Sequence, residues 1–145
     1  MDFFDALVRY ETNLWNHLDD AVRHAGAPGL ATLSALRVVD RFAPAGRVQE
    51  LRDELRITVG AASKLVDRLE REGLAVRHPH PTDRRSSLIA LTAAGETVLT
   101  RGTQAMADAL ADHLAGQDLT EVTSLLARLD RSLSGAPVVT AEAIR

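Results

Sequence analysis

The chain has 145 residues, enough for one domain with a substantial core, or for a small core plus elements that a partner must bury. It contains no cysteine, which excludes disulfides, thiolate metal sites and thiol-based redox sensing. The formal net charge of −3 argues against a general polyanion binder, and an N-terminus with Asp2 and Asp5 and no continuous apolar run reads as neither signal peptide nor membrane span, so a soluble cytoplasmic protein without a membrane partner is expected.

Aromatics make up only 3% of the chain, and Ala, Leu and Val supply most of the apolar content. Ala and Leu favour helix while aromatic and β-branched residues favour strand, so the expected fold class is mostly α. Residues 3 to 22 place Phe3, Phe4, Leu7, Leu14, Trp15, Leu18 and Val22 at helical spacing, and the stretch Ala25-Gly26-Ala27-Pro28-Gly29 ends that helix. A second helix carries Leu33, Leu36, Val39 and Phe42 and stops at Ala43-Pro44-Ala45-Gly46. Val48, Leu51 and Leu55 then share one face of a two-turn helix.

The next helix spans residues 57 to 73, with Thr58 as its N-cap and Gly73 just past its end. Ala62, Leu65, Val66 and Leu69 form its apolar stripe, whereas Gly60, Ala61, Ser63 and Lys64 leave the other face of its first half small and polar. Residues 74 to 78 and 87 to 91 read as two strands of a hairpin. The connection His78-Pro79-His80-Pro81-Thr82-Asp83-Arg84-Arg85 holds two prolines and reads as a loop. Thr92 is placed to cap a helix running to about Leu114, and Asp118-Leu119-Thr120-Glu121 has capping-box spacing ahead of a stripe of Val122, Leu125, Leu126, Leu129 and Leu133. Residues from Ser134 onward read as a tail.

Helix, turn, helix, strand, loop, strand is the order of a helix-turn-helix with a β-hairpin wing. Charge follows the same division: between residues 56 and 92, Arg56, Lys64, Arg68, Arg71, Arg77, Arg84 and Arg85 outnumber Asp67, Glu70, Glu72 and Asp83, and the flanks hold the acidic excess. A local basic segment on an acidic body points to a confined contact with nucleic acid. A helix with a small polar face fits the DNA major groove. Ser63 and Lys64 are placed for bases or phosphates, the amides near Thr58 for phosphate, and Arg68 for phosphate. Arg84 and Arg85, at the wing tip, suit an adjacent minor groove, with Asp83 accepting from the Arg85 guanidinium to hold it in one orientation.

The stretch ITVGAASKLVDRLEREGLAVRHPHPTDRRSSLIALTAAG resembles the MarR (multiple antibiotic resistance regulator) family of bacterial transcription factors, with LVDRLEREGL, the P-x-D-R-R-S run and LTAAG as its specific marks. The resemblance implies a recognition helix over 58 to 72 that includes Thr58, Gly60, Ala61, Ser63, Lys64 and Arg68, with a wing arginine at Arg85 and its supporting aspartate at Asp83. It also implies a homodimer: an N-terminal dimerisation helix in 1–29, a DNA-binding region in 30–92, dimerisation helices in 93–134 and a tail in 135–145. The function implied is repression from double-stranded DNA, relieved by a small-molecule effector bound between the two domains. Two-fold symmetry would present the recognition helices to half-sites about one helical turn apart, ~10 bp, on a pseudo-palindromic operator. Arg47 departs from the Ser or Thr that many relatives carry at the start of the short helix.

Three features stand outside this scheme. Trp15, the sole tryptophan, suits core or dimer packing and, secondarily, one wall of an effector cleft. His17, Asp20 and His24 fall at spacings of three and four, a geometry open to a divalent metal and equally to a solvated face, so no metal site or cofactor is assigned. His78 and His80 alternate on the wing and touch phosphate or nothing; histidines near DNA would make binding pH-sensitive. The competing function is a winged-helix module that binds protein and not DNA. Enzyme chemistry lacks a Gly-rich phosphate loop, a His-Glu-x-x-His motif and a serine nucleophile motif.

Overall fold

The computed structural model describes residues 1–83 and 86–134; the wing-tip residues Arg84 and Arg85 and the tail 135–145 lie outside the described residues. Among the described residues, six helices and one two-stranded sheet follow the expected order: α1 (Phe3–His24), α2 (Leu30–Arg41), α3 (Val48–Leu55), α4 (Val59–Arg71), β1 (Ala75–Pro79), β2 (Ser87–Leu91), α5 (Ala93–His113) and α6 (Thr120–Ser134). Residues 1–113 form one compact unit and the chain from Leu114 a second.

In the first unit α2 is the central element. Leu30, Thr32, Leu33, Ala35, Leu36, Val38 and Val39 are all buried, more than one stripe of a surface helix, because α2 has neighbours on several sides. One side joins Leu51, Ala62, Val66, Leu69, Leu74 and Ile89 in the core beneath the winged element. The other joins Leu18, Val22 and Ala27 in a core between α1 and α5. Val98 and Leu99 of α5 pack against both cores and tie them together.

Packing also decides what α1 leaves outside. Leu18 and Val22 are buried, while Phe3, Phe4, Leu7, Val8, Tyr10 and Trp15 are exposed, so within this chain Trp15 is not a core residue. In the second unit the whole α6 stripe, Val122, Leu125, Leu126, Leu129 and Leu133, is exposed. Its start differs from a capping box. The Asp118 carboxylate accepts from the Thr120 amide at 3.0 Å, a contact made by the residue before the N-cap position, so the box falls one residue out of register.

Three local contacts position the elements. Gly29 precedes α2 at φ +113°, where a side chain would be strained and a Cβ would lie 2.6 Å from the Arg23 guanidinium. With no side chain to cap α2, Asp19 of α1 does so: one carboxylate oxygen accepts from the Leu30 amide at 2.6 Å and the other from Arg23 Nε at 2.6 Å. At the far end Thr92 caps α5 by accepting from the Gly95 amide at 3.0 Å and itself donates to the Gly73 carbonyl at 2.6 Å. Gly95 lies so close to the Leu74 carbonyl that a Cβ there would overlap it.

The Arg23 side chain first, and the Leu30 amide second, hold the Asp19 carboxyl below its ordinary pKa of 3.8. A depressed carboxylate pKa contributes stability that is fully present above the unfolded value and is lost as pH falls from there through the lower folded one. Urea denaturation of the wild type is therefore expected to show about 1 kcal/mol of stability over Asp19→Asn near neutrality, with the gap closing below about pH 4. A gap unchanged down to about pH 3 would contradict this role for Asp19.

Candidate nucleic-acid interface

The interface is built on α4. Arg56 ends α3 in a left-handed conformation, φ +55°, and the chain turns within Ile57 and Thr58 into the next helix. The Thr58 hydroxyl accepts from the Ala61 amide at 3.2 Å, capping α4 as its sequence position leads one to expect. Ala62, Val66 and Leu69 are fully buried and Leu65 half-buried, which fixes the helix's rotation. The opposite face then carries Thr58, Gly60, Ala61, Lys64 and Arg68 exposed, with Ser63 half-buried. A Cβ on Gly60 would meet nothing within 4 Å, so the first turns of α4 offer an open, low-relief surface. Val59, also on the first turn, is 55% exposed; sequence periodicity gave no reason to single it out, and it adds an apolar contact suited to a thymine methyl.

Arg77 attaches the wing to this helix. In the antiparallel ribbon Arg77 pairs with Ile89, and the strand period of two puts both on the face towards the core, where Ile89 is fully buried. From there the Arg77 guanidinium forms ion pairs with Asp67, at 2.7 Å, and with Glu70, both on α4; the Glu70 carboxylate also accepts from the Arg77 amide at 3.1 Å. The hairpin's other edge is held by the loop before α3, whose Gly46 carbonyl accepts from the Ile89 amide at 2.8 Å. Pro79 falls inside β1, opposite Ser87, although the two-proline run reads as loop; in a two-stranded ribbon each strand has an open edge, where a missing N–H is harmless.

These pairings revise the charge reading of the segment. Arg77 is occupied internally and Arg68 Nε donates to Glu72 at 2.8 Å, so neither contributes a full outward charge. Lys64 makes no ion pair among the described residues and remains the exposed cation of the α4 N-terminal half. Asp83 stands in the wing turn, where its carbonyl accepts from the Ser86 amide at 3.1 Å, and it lines a cavity of about 300 Å³ with Arg47 and Arg77. Its expected partner Arg85, with Arg84, lies outside the described residues. Arg47 gives α3 no side-chain cap, and its amide instead donates to the Glu50 carboxylate at 2.9 Å.

The other sequence candidates lie away from this surface. Trp15 lines a shallow cavity of about 370 Å³ on α1 with Glu11 and Thr12. His24 Nδ1 hydrogen-bonds the Asp20 carbonyl at 2.6 Å, and His17 instead packs against His113 of α5 with ring centroids 5.6 Å apart. Among the described residues no three His, Asp or Glu side chains are grouped to hold a metal, and no described helix is long and apolar enough to cross a membrane.

Comparison with known proteins places this arrangement. Residues 29–86, from the start of α2 into the wing, match the model of the MarR family. Over 97 residues the chain is 31% identical to YxaD of Bacillus subtilis (strain 168), an HTH-type transcriptional regulator, covering 64% of this chain and 67% of that protein. The chain belongs to the MarR family. Among solved structures it is similar to the transcriptional repressor CouR bound to a 23-mer DNA duplex, at 27% identity and a TM-score of 0.79, covering 89% of this chain and 92% of CouR. CouR of Rhodococcus jostii RHA1 bound to p-coumaroyl-CoA superimposes equally well, at 24% identity and a TM-score of 0.79 over 96% of each chain. In this MarR-family chain, α4 and the β1–β2 ribbon are the second helix and the wing of a winged helix-turn-helix fold.

The Arg77 pairs are partly exposed, with 29% of the Arg77 side chain accessible, so their net contribution is modest and screened by salt. Arg77→Met is expected to cost about 1 kcal/mol in urea denaturation at low salt, and less at high salt. A loss that does not depend on salt would assign Arg77 a packing role instead.

Proposed function

We propose that this MarR-family protein is a homodimeric transcriptional repressor that binds a pseudo-palindromic operator in double-stranded DNA and is released from it by a small-molecule effector. One observation carries the reading: the exposed, low-relief face of α4, with Lys64 upon it, held beside the wing by Arg77. In this reading Thr58, Gly60, Ala61 and Ser63 lie against the major groove, with Lys64 on base edges or phosphate and Arg68 on phosphate. Arg84 and Arg85 reach the adjacent minor groove, and Asp83 orients Arg85. The 27% identity to CouR, a repressor solved on DNA, supports the same assignment.

Dimerisation gives the exposed apolar residues a partner. Phe3 and Phe4 of α1 are each 70% exposed, and the α6 stripe is exposed from Val122 to Leu133. Exposed stripes of this kind mark protein interfaces, and the occupant proposed here is a second copy of the chain. Effector binding by CouR, seen with p-coumaroyl-CoA, supports a ligand-responsive protein, with Trp15 as a wall of the ligand site. The chemistry is that of binding, and no enzymatic step is proposed.

Fluorescence anisotropy against the duplex upstream of the protein's own gene, beside an unrelated duplex, tests the reading. Lys64→Ala is expected to weaken binding by about tenfold and to reduce the salt slope by about one, and Arg85→Ala to weaken it comparably. Equal affinity for both duplexes, unaffected by either substitution, would contradict it, and failure to bind any duplex from a random selection would favour a protein-interaction module.

A further inference from the structure

The wing turn is organised by a histidine ring. His80 Nδ1 lies 3.3 Å from the Thr82 amide and 3.1 Å from the Asp83 amide, with the Thr82 hydroxyl at 3.4 Å. Amides only donate, so Nδ1 must carry the lone pair and the ring must be neutral with its proton on Nε2. Pro81 has no N–H, which makes Thr82 and Asp83 the first two amides after His80 that need an acceptor. The turn is then closed by two backbone bonds, His80 amide to Ser86 carbonyl at 3.3 Å and Ser86 amide to Asp83 carbonyl at 3.1 Å. An Asn or Asp side chain ordinarily caps such a turn, accepting from the amide two residues on. Here an imidazole takes that place.

We propose that His80 is a positioning residue for DNA binding: its neutral ring holds Thr82 and Asp83 in place within the wing, and its protonation releases them and weakens binding. This rests on the DNA-binding reading above. Protonation turns Nδ1 from an acceptor into a donor facing two other donors, so the contacts with Thr82 and Asp83 are lost together. Histidine is the side chain whose charge change most readily serves as a pH switch. The charged and titratable groups around it are Asp83 within the turn and His78 two residues back along β1. Arg47 and Arg77 line the adjoining cavity with Asp83, and Arg84 and Arg85 follow in sequence. The added positive charge of a protonated ring would by itself tighten binding to a polyanion, so the two effects have opposite signs and can be told apart.

The discriminating variant is His80→Asn, whose side-chain oxygen accepts from the same amides at every pH in this range. Anisotropy is measured at constant ionic strength on the duplex upstream of the protein's own gene, or on one obtained by selection. His80→Asn is expected to bind within about twofold of wild type at about pH 8 and about fivefold more tightly than wild type at about pH 5.5, where His80→Ala stays weak throughout. His78 is present in all three proteins and cancels from the comparison. If wild type gains on the Asn variant at low pH, the ring acts as a phosphate contact and the proposal is overturned. Long-range 1H–15N correlation spectra of the free protein test the same claim without DNA. Nδ1 unprotonated at about pH 8, with the Thr82 and Asp83 amide resonances moving as the His80 ring titrates in wild type and still in the Asn variant, supports it. Nδ1 protonated at that pH, or amides indifferent to the ring, overturns it, even if no protein binds DNA.

Discussion

The placement of the wing depends on one side chain bridging two consecutive elements, β1 and α4. Arg77 projects from the inner face of β1 onto Asp67 and Glu70 of α4, so the ribbon and α4 are held together by ion pairs as well as by the shared burial of Ile89, Val66 and Leu69. Burial supplies most of the free energy, since three fully buried aliphatic side chains outweigh a partly exposed pair. The directional part comes from the charges. A hydrophobic contact tolerates sliding, whereas a guanidinium between two carboxylates one helical turn apart fixes where along α4 the ribbon sits. The edge contact from Gly46 to Ile89 secures the other side of the ribbon.

The same economy of parts links this element to the rest of its unit. α2 is buried on two sides, towards the winged element and towards α1, and Val98 and Leu99 of α5 enter both cores. Packed interiors resist continuous deformation, so a change in how α1 and α5 meet is transmitted to α2 as a discrete repacking. In the ligand-responsive reading proposed above, this shared packing is the element that would connect α1 to α4. The Asp19 cap on α2, donated from α1, couples the two helices by hydrogen bonds in addition to packing.

Much of this was legible in the residues. Helical stripes located the six helices of the described residues, Thr58 and Thr92 marked the starts of α4 and α5, and the apolar run from Leu88 to Leu91 marked the second strand. What escaped lies in side-chain pairing and backbone geometry, which a reading of composition and periodicity leaves out. A tally of cations counted Arg77 and Arg68 as outward charge without pairing them with Asp67, Glu70 and Glu72. The turn between α3 and α4 uses Arg56 in a left-handed conformation without the glycine that would announce it. Trp15, read as core or dimer packing, is exposed among the described residues, which leaves the core half of that reading unmet, and the Asp118 box is one residue out of register. His80 reads as a surface histidine until the direction of its ring is known.

Hydrogen exchange with mass spectrometry, on the protein with and without a duplex obtained by selection from a random library, tests the central claim most directly. The account predicts that DNA slows exchange in residues 58–66 and across the wing, residues 77–88, while α6 exchanges as before. Protection confined to other surfaces, with residues 58–66 unchanged, would contradict it.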